Sequence, residues 1–108
     1  MIYKLRFTVT ADKQLKTLEN SPSLKGILKQ VRKTLGYLET NIRIKSLQTH
    51  EYESLSKRYG QKVFEAYAQQ NTPAAYRVFW HYGPDGTDKN RTRIPVITIV
   101  AITSHPED

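Results

Sequence analysis

The sequence predicts one α+β domain, in which an N-terminal strand and a two-helix hairpin precede a twisted, mainly antiparallel sheet. Three observations support this. Residues 3–9 alternate apolar and polar side chains, and residues 24–38 carry one apolar helical stripe. Residues 75–103 hold two arms rich in β-branched and aromatic residues, separated by a Gly/Pro/Asp turn. We therefore expect the order β-α-α-β-β-β over residues 1–108, with three or four strands after the helices.

The first strand is expected at an edge of the sheet. Its apolar positions begin at Tyr3, and the polar positions between them include Lys4 and Arg6. A period of two is typical of a strand buried on one face, and charged side chains are common on edge strands.

Two amphipathic helices follow the first strand. Asp12 is a suitable N-cap for a short first helix, and Ser21 with Pro22 is suited to begin the second. The second helix also has a basic face formed by Lys25, Lys29, Arg32 and Lys33. Such a face is explained by solvation alone, and contact with a phosphate backbone or an acidic peptide is the alternative.

The middle of the chain is less regular. Residues 39–46 resemble a connector with Arg43 and Lys45, residues 47–53 a short strand, and residues 63–68 another strand. Residues 54–61 are expected to form a polar loop. This loop and the following Lys62 interleave cations with Tyr59, a pattern that suits a nucleic-acid chain; its cations are Lys57, Arg58 and Lys62.

The two arms of residues 75–103 form the predicted centre of the sheet. The second arm is apolar at nearly every position, which indicates an interior strand. Alternation along the first arm places Arg77, Phe79 and His81 on one face. A guanidinium in so apolar a strand requires a structural carboxylate, a wet cleft or an anionic ligand. We expect the helices to cover the other face and leave this one partly open. The loop of residues 83–93, with Arg91 and Arg93, is expected to be mobile.

Composition narrows the functional classes. Lys and Arg number 17 against 10 for Asp and Glu, a net charge of +7, and residues 1–62 carry all of the excess, since residues 63–108 have one more acidic than basic side chain. A phosphate-rich or carboxylate-rich partner is expected for such a chain. There is no cysteine, and three scattered histidines form no metal motif, so we expect no metal and no cofactor. No apolar run is long enough to span a membrane, and we expect a cytoplasmic protein without membrane contact.

Two segments carry a resemblance to a known family. Ala75-Tyr76-Arg77-Val78-Phe79-Trp80 resembles the tyrosine-arginine strand of the RelE/ParE superfamily of bacterial type II toxins. The Val/Ile-rich segment of residues 97–105, which ends in Ser104-His105, resembles the last strand of that family. The resemblance implies a compact α+β fold whose concave sheet face is the working surface.

The resemblance also implies a function. RelE-like members are metal-free endoribonucleases that cut messenger RNA on the ribosome, whereas ParE-like members inhibit gyrase. Both kinds are silenced by a cognate antitoxin. RNA cleavage without a metal needs a base for the 2′-hydroxyl, a cation for the phosphorane oxygens and an acid for the leaving oxygen. Arg77 matches the family arginine, and His105 matches a basic or imidazole position. His81 and Tyr82 are weaker candidates.

This chain departs from the family pattern in two places. The strand that precedes Arg77 contains Glu65 where RNase members have lysines, and Glu107 and Asp108 stand where relatives continue with tyrosine or basic residues. Glu65 is either a replacement for the missing base or a sign that the nuclease is inactive. The leading interpretation is a ribosome-dependent mRNA endoribonuclease that inhibits translation. The alternative is an inactive or ParE-like protein that binds gyrase, RNA or a protein partner.

We assign the remaining cations to two expected partners, RNA and the antitoxin. RNA contacts are expected at Arg43, Lys45, Lys57, Arg58, Lys62, Arg91 and Arg93. Antitoxin contacts are expected at the basic helix face formed by Lys25, Lys29, Arg32 and Lys33.

Overall fold

The computed structural model describes residues 2–69, 72 and 74–106. The helices are α1 Val9–Glu19, α2 Lys25–Thr40 and α3 Glu53–Tyr59, with short 3-10 turns at Pro22–Leu24 and Lys45–Leu47. The strands are β1 Lys4–Phe7, β2 His50–Glu51, β3 Phe64–Tyr67, β4 Arg77–Tyr82, β5 Gly86–Thr87, β6 Arg93–Ile94 and β7 Val96–Thr103. The predicted α+β class, with a strand and two helices before the sheet, is confirmed.

The main sheet has five strands in the order β1-β7-β4-β3-β2. β1 runs parallel to β7, and every other neighbouring pair is antiparallel. The predicted edge position of β1 and interior position of β7 are both correct. Seven of the eight β7 residues are buried, which accounts for its apolar sequence.

The main core lies between the sheet and the first two helices. Buried side chains from α2, including Val31 and Leu38, pack with Trp80 of β4 and with Ile97 and Ile99 of β7. The apolar stripe of α2 therefore packs against the sheet, as its period predicts.

The second face of the sheet is not open in the way we predicted. α3 and the residue before it cover part of that face, where Tyr52 and Leu55 pack with Val63, Phe79 and Val100. The expectation of a polar loop over residues 54–61 is therefore wrong. A single buried apolar residue, Leu55, anchors this short helix, and one apolar residue in a polar segment carries no periodicity by which to recognise it.

The expected N-cap of α1 also needs correction. Thr8, not Asp12, caps this helix, because the Thr8 hydroxyl accepts a hydrogen bond from the Ala11 amide at 3.1 Å. Asp12 lies in the first turn instead and pairs with Lys16 at 2.9 Å. The helix begins at Val9 because β1 ends two residues earlier, a boundary that strand pairing sets.

Two connecting segments are more ordered than expected. α2 continues to Thr40, into the segment predicted as a connector. The loop predicted over residues 83–93 contains β5, and its last residue begins β6; the two strands pair as a separate two-stranded sheet. The Asp85 carboxylate ties this hairpin to the main sheet by accepting from the Val96 amide at 3.0 Å. No helix in the described residues has the length and hydropathy to cross a membrane.

Candidate functional site

Arg77 stands at the first position of β4, on the face partly covered by α3. Its side chain is only 16% exposed. One guanidinium nitrogen, Nη1, donates to Glu65 Oε2 at 3.3 Å, and the other, Nη2, donates to the Ser104 carbonyl at 3.0 Å. Arg77 is therefore held by both neighbouring strands, since Glu65 lies on β3 and Ser104 directly follows β7.

Three aromatic rings surround this guanidinium. Its Cζ atom lies 5.5 Å from the Tyr52 ring centroid, 5.6 Å from Tyr67 and 5.1 Å from Phe79. Rings at these distances stabilise a cation through their negative faces. Of the three possibilities for Arg77, the structural carboxylate is the one observed, supplemented by rings.

Glu65 is the most buried charged residue of the site. Its side chain is 2% exposed, and its two oxygens contact two different groups. Oε2 accepts from Arg77, and Oε1 lies 2.8 Å from Nε2 of His50. A carboxylate this enclosed does not face a substrate in the position of a base. It instead links β2, β3 and β4 through their charges.

His50 was not singled out from the sequence. Its Nδ1 lies 2.9 Å from the Gln48 carbonyl and its Nε2 faces Glu65, so both ring nitrogens meet acceptor oxygens. The ring is nevertheless 54% exposed and lies beside Tyr67. The β2–β3 register pairs His50 with Glu65 and so creates the contact between their side chains. No pattern within either segment predicts this contact.

An open pocket of about 220 Å³ lies beside Arg77. Tyr67 and Ala75 line it together with Arg77 and Ser104, and Thr72 and Ala74 complete the wall. Arg77 supplies the only formal charge among these lining residues. The pocket is therefore suited to a small anionic group, such as a phosphate.

The structure separates the two predicted histidines. His105 is exposed and follows Ser104, the residue that Arg77 holds; its own backbone amide donates to Thr103 Oγ1 at 3.1 Å. His81 is four residues along β4 from Arg77, about 13 Å away for an extended strand. It is buried, and its ring lies 6.2 Å from Tyr59. His81 is thus outside the Arg77 site, while His105 is the next residue after Ser104, which lines the pocket beside Arg77. Glu107 and Asp108 lie outside the described residues.

Tyr82, at the end of β4, has a perturbed pKa. Partial burial raises the pKa of its phenol above the ordinary value of 10.0, and the Trp80 indole N–H partly offsets that rise. Trp80 Nε1 is itself buried and has no partner of good hydrogen-bond geometry within the described chain. A neutral phenol at pH 7 does not serve as a base, so Tyr82 gains no catalytic role from this shift.

The predicted RNA-binding cations are all exposed. These are Arg43, Lys45, Lys57, Arg58, Lys62, Arg91 and Arg93. Arg93 pairs with Asp85 at 2.8 Å, whereas Lys57, Arg58 and Lys62 form no ion pair within the part of the chain that is described. Lys57 and Arg58 lie in the last turn of α3 beside the exposed ring of Tyr59.

The basic face of α2 is exposed as well. Arg32 pairs with Glu19 of α1 at 3.2 Å, and Lys33 lies 5.9 Å from the Tyr37 ring centroid. Lys25 and Lys29 are exposed on the same helix. This surface remains available to a partner of opposite charge.

Within the described residues, no three His, Asp or Glu side chains are grouped closely enough to hold a metal ion. In comparisons of sequence and fold, no family model, no curated protein and no solved structure matches this chain.

Proposed function

We propose that this chain is a RelE/ParE-like, toxin-fold protein that acts by binding RNA, and that Arg77 builds the site without cleaving the strand. The Arg77–Glu65 ion pair carries the proposal. Glu65 is 2% exposed, so its charge depends on the Arg77 guanidinium and the His50 ring beside it. An arginine that stabilises a phosphorane must gain contacts in the transition state. Turning Arg77 toward a phosphate would instead remove a partner from a buried carboxylate.

Cations that form no ion pair with any described residue support RNA as the ligand. Lys57 and Arg58 end α3, Lys62 follows it, and Tyr59 between them presents an exposed ring. Cations near a ring bind a single-stranded chain through its phosphates and its bases. The residues that were expected to form a loop thus lie in the last turn of α3 and directly after it.

The family resemblance adds two partners to this proposal. One is the ribosome with its messenger RNA, and the other is an antitoxin that contacts the basic face of α2. A small, acidic, helix-forming protein encoded beside this chain is the expected antitoxin. Its absence from the neighbouring reading frames would remove the toxin–antitoxin interpretation and leave RNA binding to stand alone.

The test is a salt titration of binding to a labelled single-stranded RNA. Each phosphate contact contributes about 0.7 to the slope of log K against log salt for a single strand. Lys57→Gln/Arg58→Gln should therefore flatten the slope by about 1.4. Lys13→Gln/Lys16→Gln, on α1, removes the same charge away from α3 and should leave the slope nearly unchanged. Equal effects of the two double variants would contradict a specific α3 contact.

Ribonuclease activity is the second candidate, and one observation favours it. Arg77 still lines an open pocket, and it holds the carbonyl of the residue before His105. Arg77 thus lines an anion-sized space, and the exposed His105 is the next residue after Ser104 in its wall; metal-free cleavage needs both a cation and a proton donor or acceptor.

Messenger cleavage on purified ribosomes separates the two candidates. The binding proposal expects no cleavage by the wild-type chain and no growth arrest that depends on His105. Cleavage that His105→Asn lowers at least tenfold, with the fold intact, would replace the binding proposal by the nuclease. His105 is exposed, so this substitution tests chemistry with little cost in stability.

A further inference from the structure

A second pocket lies between α2 and the edge of the sheet. Its volume is about 130 Å³. Gln30, Lys33, Thr34 and Tyr37 line it from α2, and Tyr67 and Ala68 line it from the end of β3. This space was not anticipated from the sequence, because only the packing of α2 on the sheet brings the two tyrosines to one cavity.

The lining suits a flat, polar ring. Tyr37 and Tyr67 supply aromatic walls, and Lys33 adds a cation 5.9 Å from the Tyr37 ring centroid. Gln30 brings an amide that both donates and accepts, and the Thr34 hydroxyl donates to the Gln30 carbonyl at 3.0 Å while keeping its own acceptor sites. Aromatic stacking combined with edge hydrogen bonds is the usual way in which proteins read an unpaired base.

One residue lines both this pocket and the pocket beside Arg77. It is Tyr67, whose ring lies 5.6 Å from the Arg77 Cζ. The charge of the two pockets also suits an RNA chain, since Lys33 and Arg77 are the only charged residues among the described ones that line them.

We infer that this pocket between α2 and β3 binds one nucleobase of a single-stranded RNA. The inference rests on the proposed function, because it names a base subsite for the proposed RNA ligand. Stacking on an aromatic ring is worth about 1 to 3 kcal/mol per base, which corresponds to about 5- to 150-fold in affinity.

The test uses adenosine and uridine monophosphates against ribose 5-phosphate, followed through the backbone amide shifts of Gln30, Thr34 and Ala68. At least one nucleotide should shift these amides, and ribose 5-phosphate should not. Tyr37→Leu and Lys33→Gln should each weaken nucleotide binding about tenfold. Lys29→Gln removes the same charge from a site outside the pocket and should leave nucleotide binding within about twofold.

The outcomes separate the base subsite from the proposed function. Equal shifts with ribose 5-phosphate, or no shift with either nucleotide, would overturn the base subsite even if the protein binds long RNA. Nucleotide shifts in a protein that shows no salt-dependent RNA binding would overturn the proposed function and leave the base subsite intact. If Tyr37→Leu unfolds, Lys33→Gln still tests the pocket, because Lys33 is exposed on the helix surface.

Discussion

At the scale of single residues, one buried carboxylate organises the candidate site. Glu65 lies between Arg77 and His50, so a negative charge with almost no solvent contact meets a guanidinium and an imidazole ring. A buried charge without partners is strongly destabilising, whereas a matched pair is close to neutral relative to apolar residues. Glu65 therefore explains why a guanidinium is tolerated in so apolar a strand.

Removing Arg77 should show how strongly the buried Glu65 depends on its ion pair. Arg77→Met should lower the free energy of unfolding by about 3 kcal/mol, because Glu65 keeps only the half-exposed His50. Glu65→Leu/Arg77→Met should recover most of that loss. Urea unfolding measures both variants.

The matched control is Arg93→Met, which breaks a pair with Asp85 that is largely exposed. It should cost less than about 1 kcal/mol. Equal losses in the free energy of unfolding for Arg77→Met and Arg93→Met would show that the Glu65 ion pair contributes no more to stability than an exposed pair.

The raised pKa of Tyr82 predicts that the stability of the protein falls at high pH. Its folded pKa is raised by burial, so the native state keeps the phenol proton longer than the unfolded chain. The stability that this contributes is complete below the ordinary pKa of 10.0 and is lost as the pH rises through the folded pKa. The urea midpoint of the wild-type chain should therefore fall more than that of Tyr82→Phe between about pH 8 and about pH 11. Parallel midpoints would contradict the raised pKa.

At the scale of elements, tertiary anchors decide where the short helices lie. α3 has seven residues and one buried side chain, Leu55. Isolated helices of this length are unstable in water, so packing on the sheet must hold it. The αL residue Gly60, at φ 68°, ends it, and the Val63 amide donates to Ser56 Oγ at 2.8 Å. Sequence periodicity cannot detect a helix that depends on such contacts.

The cap of α1 provides a test at this scale. Thr8→Ala should destabilise the protein by about 1 kcal/mol, because the Ala11 amide loses its acceptor. The same hydroxyl donates to the Val100 carbonyl at 3.2 Å, which ties the cap to β7. Asp12→Ala, which removes only an exposed pair with Lys16, should cost clearly less. Thermal or urea unfolding of the two variants decides between the observed cap and the predicted one.

At the scale of the whole molecule, the chain is organised around β7. This strand pairs with β1 on one side and β4 on the other, and cores lie on both of its faces. β1 comes from the start of the chain, so this parallel pair brings strands from the two ends of the sequence together at one edge of the sheet. A register shift between Phe79 and Trp80 lets β4 follow β7 along its length.

Hydrogen exchange should reflect this organisation. Amides of Ile97 to Ile102 should exchange only on global unfolding, because the strand is central and buried. Amides of β5 and β6 should exchange through a local opening, since that hairpin is largely exposed and stands outside the main sheet. Equal protection of β7 and β5–β6 would contradict a separate hairpin.

The sequence by itself determined the fold class, the stripe of α2, the edge strand β1 and the interior strand β7. Each of these follows from periodicity or composition within one segment, and local patterns record directly which face is buried. The same alternation correctly placed Arg77 and Phe79 on one face of β4.

Only the tertiary structure decided what surrounds Arg77. Glu65, Ser104 and the neighbouring pair His50 and Tyr52 belong to three separate segments, and only the packing of the strands and α3 brings them together around Arg77. The same holds for α3 over the second sheet face and for the cavity between Tyr37 and Tyr67. Contacts between distant segments depend on how the layers pack, and no single segment carries that information.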